Sequence, residues 1–368
     1  MRICIVVGTR PEIIKMSPII RNCIKNNVDF YVLHTGQHFS HEMDKKIFED
    51  LDLSLPKYNL NVGAQPYRKQ VGLMVTDIKR ILAEDRPDVV LVEGDTISVL
   101  AGAMAASKLK IDIGHHEAGL RSHNPFMLEE TNRIITDHIS EYLFAPTIEA
   151  VKNLRSERLS DEKIFLVGNT IVDAVQQNLE IAGKKSRIHE ELNLRKKDYI
   201  LVTAHRAENV DNQKRLQGII TGLDLVAKEH NKEVLYPAHP RTLNKIKEFG
   251  IEIPSAIKLV NPFGYLDFLN LQNHASLVIT DSGGIQEESC ILRVPCVTLR
   301  DETERPETIQ YGMNMLAGTD HEKILAASKE MINKKIDWMN PFGDGKANER
   351  IVKILHNFKE IRLHSLEI

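Results

Sequence analysis

The sequence predicts an α/β protein built from two doubly wound domains. Three observations carry this. The chain is 368 residues long, beyond the roughly 250–300 residues at which a single core stops growing. Short apolar runs alternate with longer segments of helical spacing from end to end, the pattern of parallel sheets covered on both faces. A polar, charge-rich stretch, Gly183–Asp198, divides the apolar runs into two series.

The first series of expected strands is Ile3–Val7, Phe30–His34, Val89–Val92, Ile111–His115, Tyr142–Phe144 and Ile164–Val167. The second is Tyr199–Thr203, Glu233–Tyr236, Ile257–Leu259, Leu277–Thr280 and Cys296–Leu299. Between them, Pro11–Lys25, Ser98–Lys108, Leu128–Ser140, Asn212–Glu229 and His321–Lys334 have helical spacing. A last helix near Gly345–Phe358 follows a Pro-Phe-Gly-Asp-Gly turn at Pro341–Gly345. The domain boundary is expected between Gly168 and Asp198. Two such domains are expected to place their strand ends facing each other across a cleft, and ligands of doubly wound sheets bind beyond the carboxyl ends of strands.

Composition narrows the partners. The apolar fraction of 42% is enough for two cores, and a net charge of -3 leaves no basic excess for nucleic acid. Cys4, Cys23, Cys290 and Cys296 form no C-x-x-C pair and read as reduced thiols. The apolar start breaks at Gly8, too soon for a signal-peptide core. There is no run of about 18 apolar residues, so no membrane span is expected. The expectation is a soluble cytoplasmic protein.

The residues after each strand are where chemistry is expected. Gly8-Thr9-Arg10-Pro11-Glu12 follows the first strand, with Lys15 one helical turn on. Pro11 suits a first helical turn. Arg10 and Lys15 there suit an anion, though a turn with two solvated cations would read the same way. Asp95, after the third strand, is either a reacting carboxylate or the cap of the next helix. His115-His116-Glu117 ends the fourth strand. Adjacent histidines on a strand point to opposite faces, which disfavours a shared metal ion. Glu117, two residues before Gly119, fits an acid or base better. Glu129 opens a helix, where the helix dipole alone would favour it. Asp95, Glu117 and Glu129 converging would raise one another's pKa and suit proton transfer.

In the second series, His205 and His239 each sit just past a strand with an arginine close by, Arg206 and Arg241. Thr280-Asp281-Ser282-Gly283-Gly284 ends a strand and leads into a helix. Backbone amides there can approach an anion at a helix N-terminus, the geometry of a diphosphate cradle. No G-K-[ST] follows, and there is no G-x-G-x-x-G dinucleotide fingerprint. Glu288, one turn in, is placed to accept hydrogen bonds from ribose hydroxyls. Arg300–Glu307 adds cations at a further strand end, or is a solvated loop.

Eleven stretches in order resemble the non-hydrolysing UDP-N-acetylglucosamine 2-epimerase family. They are GTRPEIIK (Gly8–Lys15), TGQH (Thr35–His38), PDVVLVEGDT (Pro87–Thr96), GHHEAGLR (Gly114–Arg121), EETNR (Glu129–Arg133), VGNTIVDA (Val167–Ala174), AHRAEN (Ala204–Asn209), YPAHP (Tyr236–Pro240), TDSGGIQEE (Thr280–Glu288), RDETERPE (Arg300–Glu307) and NPFGDGKA (Asn340–Ala347). The resemblance implies a GT-B-like pair of Rossmann-like domains. Residues 1–170 would form one, joined by a returning helix over 349–368, and residues 171–348 would form the UDP-binding other. It implies a catalytic set of Asp95, Glu117, Glu129 and His205. Substrate would be bound by Arg10, Lys15, His239, Phe268, Ser282, Gly283, Gly284, Glu288 and Arg305, with Phe268 close to uracil. Bacterial members also bind a second UDP-N-acetylglucosamine as activator. The matching residues are Gln37, His38, Gln70, His205, Arg206 and Glu208, with Lys69 where bacterial members often carry arginine. A lysine offers a point charge rather than a bidentate fork. The family's usual form is a homodimer using neither metal nor cofactor and serving cell-surface polysaccharide synthesis.

The hydrogen at C2 of UDP-N-acetylglucosamine adjoins no carbonyl and is not acidic. Oxidation at C3 would need a nicotinamide, for which the fingerprint is missing from the sequence. Expelling UDP from C1 first acidifies C2–H and gives 2-acetamidoglucal; re-addition of UDP with protonation on the other face gives UDP-N-acetylmannosamine. Gln37 favours the non-hydrolysing branch, since hydrolysing relatives typically carry methionine in T-G-x-H. A hydrolysing epimerase or a GT-B glycosyltransferase shares the scaffold, and a silent UDP-sugar sensor would keep the cradle without needing three carboxylates.

Overall fold

The structure is a computed structural model. It describes residues 1–37, 41–63 and 66–365, with backbone alone over 41–44 and 358–365. Two compact units emerge. The first comprises Met1–Gln177 and Phe342–Ile368, the second Asn178–Pro341. The division thus falls at 177/178 and 341/342, where the sequence suggested 170/171 and 348/349. The helix Thr170–Lys185 carries the chain through the first of these points. The stretch Gly183–Asp198 is no free linker. Its Ile188 is buried, and Leu192 and Leu194 pack with it against Tyr199, Leu201 and Leu235.

The first unit holds seven parallel strands: β1 (Arg2–Val7), β2 (Asp29–His34), β3 (Tyr58–Asn59), β4 (Val89–Glu93), β5 (Asp112–His116), β6 (Tyr142–Ala145) and β7 (Ile164–Leu166). Their order is β3-β2-β1-β4-β5-β6-β7. Ile3–Val7 is almost wholly inaccessible because helices cover both faces, which is why the strand reads as an unbroken apolar run. The chain returns at the helix Ala347–Ser365. The Asp173 carboxylate accepts from the Asn348 amide (2.9 Å) and side chain (2.5 Å), Asn22 donates to Asn348 Oδ1 (2.6 Å), and Arg350 donates to the Val167 carbonyl (3.0 Å).

The second unit holds six parallel strands: β8 (Tyr199–Thr203), β9 (Glu233–Pro237), β10 (Ile257–Val260), β11 (Leu277–Thr280), β12 (Cys296–Thr298) and β13 (Asn314–Leu316). Their order is β10-β9-β8-β11-β12-β13. The short strands β3 and β13 were not anticipated from sequence. Both sheets follow the doubly wound order in which the chain works outward from a first strand, then jumps back to its other side. Each therefore has a topological switch point, between β1 and β4 and between β8 and β11, where ligands of such sheets bind. Among the described residues, no helix is long and apolar enough to cross a membrane. All four cysteines are free thiols and buried.

Candidate functional site

At the switch point of the first unit, the loop Gly8–Thr9 after β1 meets the loop Gly94–Thr96 after β4. Gly8 has no room for a side chain: a Cβ there would lie 1.9 Å from Ser98 Oγ and 2.3 Å from Thr35 Oγ1. The close approach lets Glu12 tie the two loops together. One of its oxygens accepts from the amides of Gly8 (2.5 Å) and Thr9 (3.2 Å), and the other takes the Thr96 hydroxyl (2.5 Å). Burial pushes the Glu12 carboxyl up to about 7, against the pull of these hydrogen bonds. Thr96, not Asp95, caps the helix Ile97–Lys108, its hydroxyl accepting from the Ser98 amide. The capping reading of Asp95 is thereby corrected: the side chain is released for other work.

Glu117 follows β5, and the pairing of Glu93 with His116 sets it beside Gly94. It is buried and adopts φ +66°, the left-handed region that costs a non-glycine residue roughly 1–2 kcal/mol. Lys15 Nζ lies 2.6 Å from Glu117 Oε1 and 3.1 Å from Glu93 Oε1, and Asn169 donates to Glu117 at 2.8 Å. So Lys15 is a largely covered partner of carboxylates, its side chain 12% exposed, not a solvated cation. Burial drives the Glu93 carboxyl well above the carboxylate range; the Glu117 and Glu12 charges add to this and Lys15 opposes it. Arg10 is exposed.

Asp95 pairs with Arg133, which also binds Glu130. Asn132 donates to the Asp95 carbonyl (2.9 Å) and accepts from the Tyr67 hydroxyl (2.6 Å). Glu129 stands exposed in the first turn of the helix Leu128–Ile139. Its charge, after burial, is the next cause raising the Tyr67 phenol. Neighbouring Glu130 is instead buried and holds the amides of Ser122 and His123. The two adjacent histidines serve different ends. His115 links Asp137 (2.6 Å) to the Gly94 carbonyl (2.8 Å), while burial lowers His116 to about 4 and its Nε2 accepts from the Thr170 amide at 3.4 Å.

Gln37 accepts from the Ser98 hydroxyl (2.7 Å) and amide (3.3 Å). Gln70 donates to the carbonyls of Gly63 (2.9 Å) and Gln37 (3.4 Å), so its amide holds a loop. Lys69 is exposed. His38 lies outside the described residues.

In the second unit, His205 and Arg206 follow β8, His239 follows β9, and Ser282 follows β11. Asp281, inaccessible to solvent, accepts on Oδ2 from the amides of His205 (2.9 Å) and Arg206 (2.9 Å) and from Asn209 Nδ2 (3.1 Å). Its Oδ1 lies 3.2 Å from His205 Nδ1. Burial works to raise the Asp281 carboxyl, but these contacts prevail and hold it low. Ser282 is the N-cap of the helix Gly283–Ile291, and its side chain makes no capping bond. The first-turn amides are thus left for another acceptor. A Cβ on Gly284 would meet nothing within 4 Å, and on Gly283 only Glu304 Oε2 at 4.0 Å. Glu288 is buried, and Arg305 pairs with buried Glu287 at 2.6 Å. Arg300 grips Glu304 through both terminal nitrogens (2.6 and 2.9 Å); burial works to raise the Glu304 carboxyl, but this grip brings it to about 2. Glu208 lies 3.6 Å from Arg300 Nε. Arg206, 3.8 Å from Glu304, is half-buried. His239 caps the helix Pro240–Glu248, its Nδ1 accepting from the Arg241 amide (3.2 Å). Phe268 packs, partly buried, against the core.

Sequence reasoning missed Glu12, Glu93, Asp281 and the Asn132–Arg133 pair. Only Asp281 had a usable signal, as a carboxylate ending a strand beside Ser-Gly-Gly.

The chain as a whole is similar to known proteins. A family model described as UDP-N-acetylglucosamine 2-epimerase matches residues 22–356. The UDP-N-acetylglucosamine 2-epimerase of Methanocaldococcus jannaschii is 53% identical over 361 residues, 96% of this chain and 99% of that one. That of Methanococcus maripaludis is 51% identical, over 98% and 99%. A crystal structure of the Methanocaldococcus jannaschii enzyme in complex with UDP-GlcNAc and UDP superposes with a TM-score of 0.87, at 53% identity, over 97% of this chain and 100% of that one. The chain belongs to the UDP-N-acetylglucosamine 2-epimerase family.

Proposed function

We propose that this protein interconverts UDP-N-acetylglucosamine and UDP-N-acetylmannosamine without hydrolysis, by eliminating UDP and adding it back. The C1–O bond breaks with its electron pair going to the diphosphate, and the C2 proton passes to a carboxylate, leaving the C1=C2 bond of 2-acetamidoglucal. Return of UDP to C1 and of a proton to the other face of C2 completes the inversion. The first unit carries the acid–base groups this demands: Glu117 with Lys15, Asp95 with Arg133, and exposed Glu129. The second carries groups suited to a departing diphosphate: the amides of Gly283 and Gly284, His205 and Arg305. Preorganised donors of this kind are worth several kcal/mol where charge develops.

The observation that carries the reading is Glu117, a carboxylate strained into the left-handed region at a switch point with the Lys15 ammonium 2.6 Å away. Strain of this kind gathers at reacting groups. A purely UDP-sensing protein would have no use for it. Gln37, Arg206 and Glu208 are assigned to an activator site for a second UDP-N-acetylglucosamine, and the enzyme is read as a cytoplasmic homodimer.

The test is incubation with UDP-N-acetylglucosamine in D2O, with no nicotinamide or metal added. Deuterium at C2 of both UDP-sugars is expected. Free N-acetylmannosamine as the sole sugar product, released with UDP, would overturn the non-hydrolysing reading. A velocity curve that stays hyperbolic in UDP-N-acetylglucosamine would remove the activator site.

A further inference from the structure

Resting on the reading of His205 as a catalytic group, we infer that Asp281 is a positioning residue that accepts a hydrogen bond from Nδ1–H of the His205 imidazole, leaving Nε2 as the nitrogen that takes up a proton and donates to the leaving diphosphate.

The two oxygens of Asp281 have separate duties. Oδ2 is saturated: the amides of His205 and Arg206 and the Asn209 side chain all converge on it within 3.1 Å. Oδ1 takes none of these and is buried with no hydrogen bond made, yet His205 Nδ1 stands 3.2 Å away. Leaving a buried carboxylate oxygen unmet is costly, so a donor within reach is strongly favoured there. The imidazole ring is that donor when its proton sits on Nδ1.

The framework that aims the pair is cross-linked by hydrogen bonds. Thr203 and Thr280 are register partners on β8 and β11, and their hydroxyls bond at 2.7 Å. The Ser282 amide then donates to Thr280 Oγ1 (3.0 Å). Asp281 and Ser282 are therefore held from the same threonine pair that anchors the His205 loop. The His205 side chain remains 53% exposed, so one edge of the ring is tethered and the other is open to a ligand. Which imidazole nitrogen carries the proton is set by what the other one meets. A ring in the other tautomer turns a lone pair towards Oδ1 and loses the carboxylate's support for the imidazolium that Nε2 must form, although its position is unchanged.

The competing account makes Asp281 only a clasp for the loop, through Oδ2. Asp281→Asn separates the two, because the amide oxygen can keep the Oδ2 contacts while the NH2 group replaces Oδ1 and cannot accept. On 15N-histidine-labelled protein without substrate, at a pH where the ring is neutral, the wild-type His205 is expected to show the Nδ1–H tautomer, and Asp281→Asn to lose it. In turnover, Asp281→Asn is expected to lower kcat at least tenfold with KM for UDP-N-acetylglucosamine within threefold. In His205→Ala, the added Asp281→Asn change should then cost less than twofold. An unprotonated Nδ1 in the wild type would by itself sink the inference, even if the variant failed to fold. So would an unchanged kcat, or effects that multiply in the double variant. Because the tautomer is read without substrate, a failure of the epimerase assignment would be seen separately, as absent C2 exchange in the wild type.

Discussion

Replacing Glu117 with glutamine separates the charge of this residue from its shape. Two effects oppose each other on stability. The ion pair with Lys15 is lost, and stripping one partner from a buried pair usually costs about 3–5 kcal/mol because the other charge is stranded. Here it is not stranded, since Glu93 Oε1 stays 3.1 Å from the same ammonium. Removing the Glu117 charge also relieves Glu93, whose carboxyl that charge pushes up. The amide oxygen can still accept from Asn169. The net loss should resemble that of a single charged hydrogen bond, about 1.5–3 kcal/mol, a drop of a few degrees in melting temperature. The effect on chemistry should be larger. An amide takes no proton, and loss of a general base costs about 10²–10⁴-fold, or roughly 3–5 kcal/mol of barrier. Decay of the C2–H proton signal in D2O measures this directly, and UDP titration by calorimetry checks the cradle, which uses no Glu117 atom. Exchange within tenfold of wild type, with UDP affinity intact, would refute the assignment of Glu117 as the C2 base.

Glu12 predicts a pH dependence. Its folded carboxyl titrates at about 7 against an ordinary 4.5, so the folded state binds the extra proton between those values. Stability from this group is therefore full below about pH 4.5 and declines as pH rises towards 7, by at most ~3 kcal/mol; Glu12→Gln should flatten that limb of a melting-temperature profile. Gly284→Ala should leave the melting temperature unchanged or higher, since its Cβ meets nothing within 4 Å. The same change should weaken UDP binding at least tenfold, about 1.4 kcal/mol, if the first-turn amides hold the diphosphate; calorimetry showing unaltered affinity would move the diphosphate elsewhere. Arg133→Met uncouples Asp95 from Glu130, and should lower kcat at least tenfold and stability by about 1–3 kcal/mol, the cost of taking the charged partner from a buried carboxylate. Arg133→Lys should rescue little, because an ammonium cannot make the forked contact.

What was legible in the sequence follows from how burial writes itself. Strands covered on both faces read as unbroken apolar runs, so β1, β8 and β11 were found almost to the residue. The strand β3 is two residues long, half-buried, and pairs with β2 alone. The strand β13 opens on Asn314, buried but polar, whose side chain meets Thr298, Gln286 and Thr308. Neither leaves an unbroken apolar run of strand length. Glu12 shows the same limit within the site. Its spacing from Thr9 matches a capping box, a solvent-side device in most helices. Only the fold of residues some eighty positions away, bringing Thr96 over it, makes it a buried group titrating near neutrality.

Glu129 and Glu130 carry the argument furthest, because they are chemically identical neighbours. A helix turns by about 100° per residue, so a side chain and its successor face different surroundings. That rotation alone buries Glu130 under the amides of Ser122 and His123 and against Arg133, and leaves Glu129 exposed beside Tyr67. Glu130, bound from three sides with its carboxyl held low, has no freedom to move a proton. Glu129 has that freedom. The sequence could name the pair as acidic, but the choice between structural acid and reacting acid belongs to the helix phase. If Glu130→Gln abolished C2 exchange while Glu129→Gln left it intact, in variants that both fold, this ordering of their roles would be reversed.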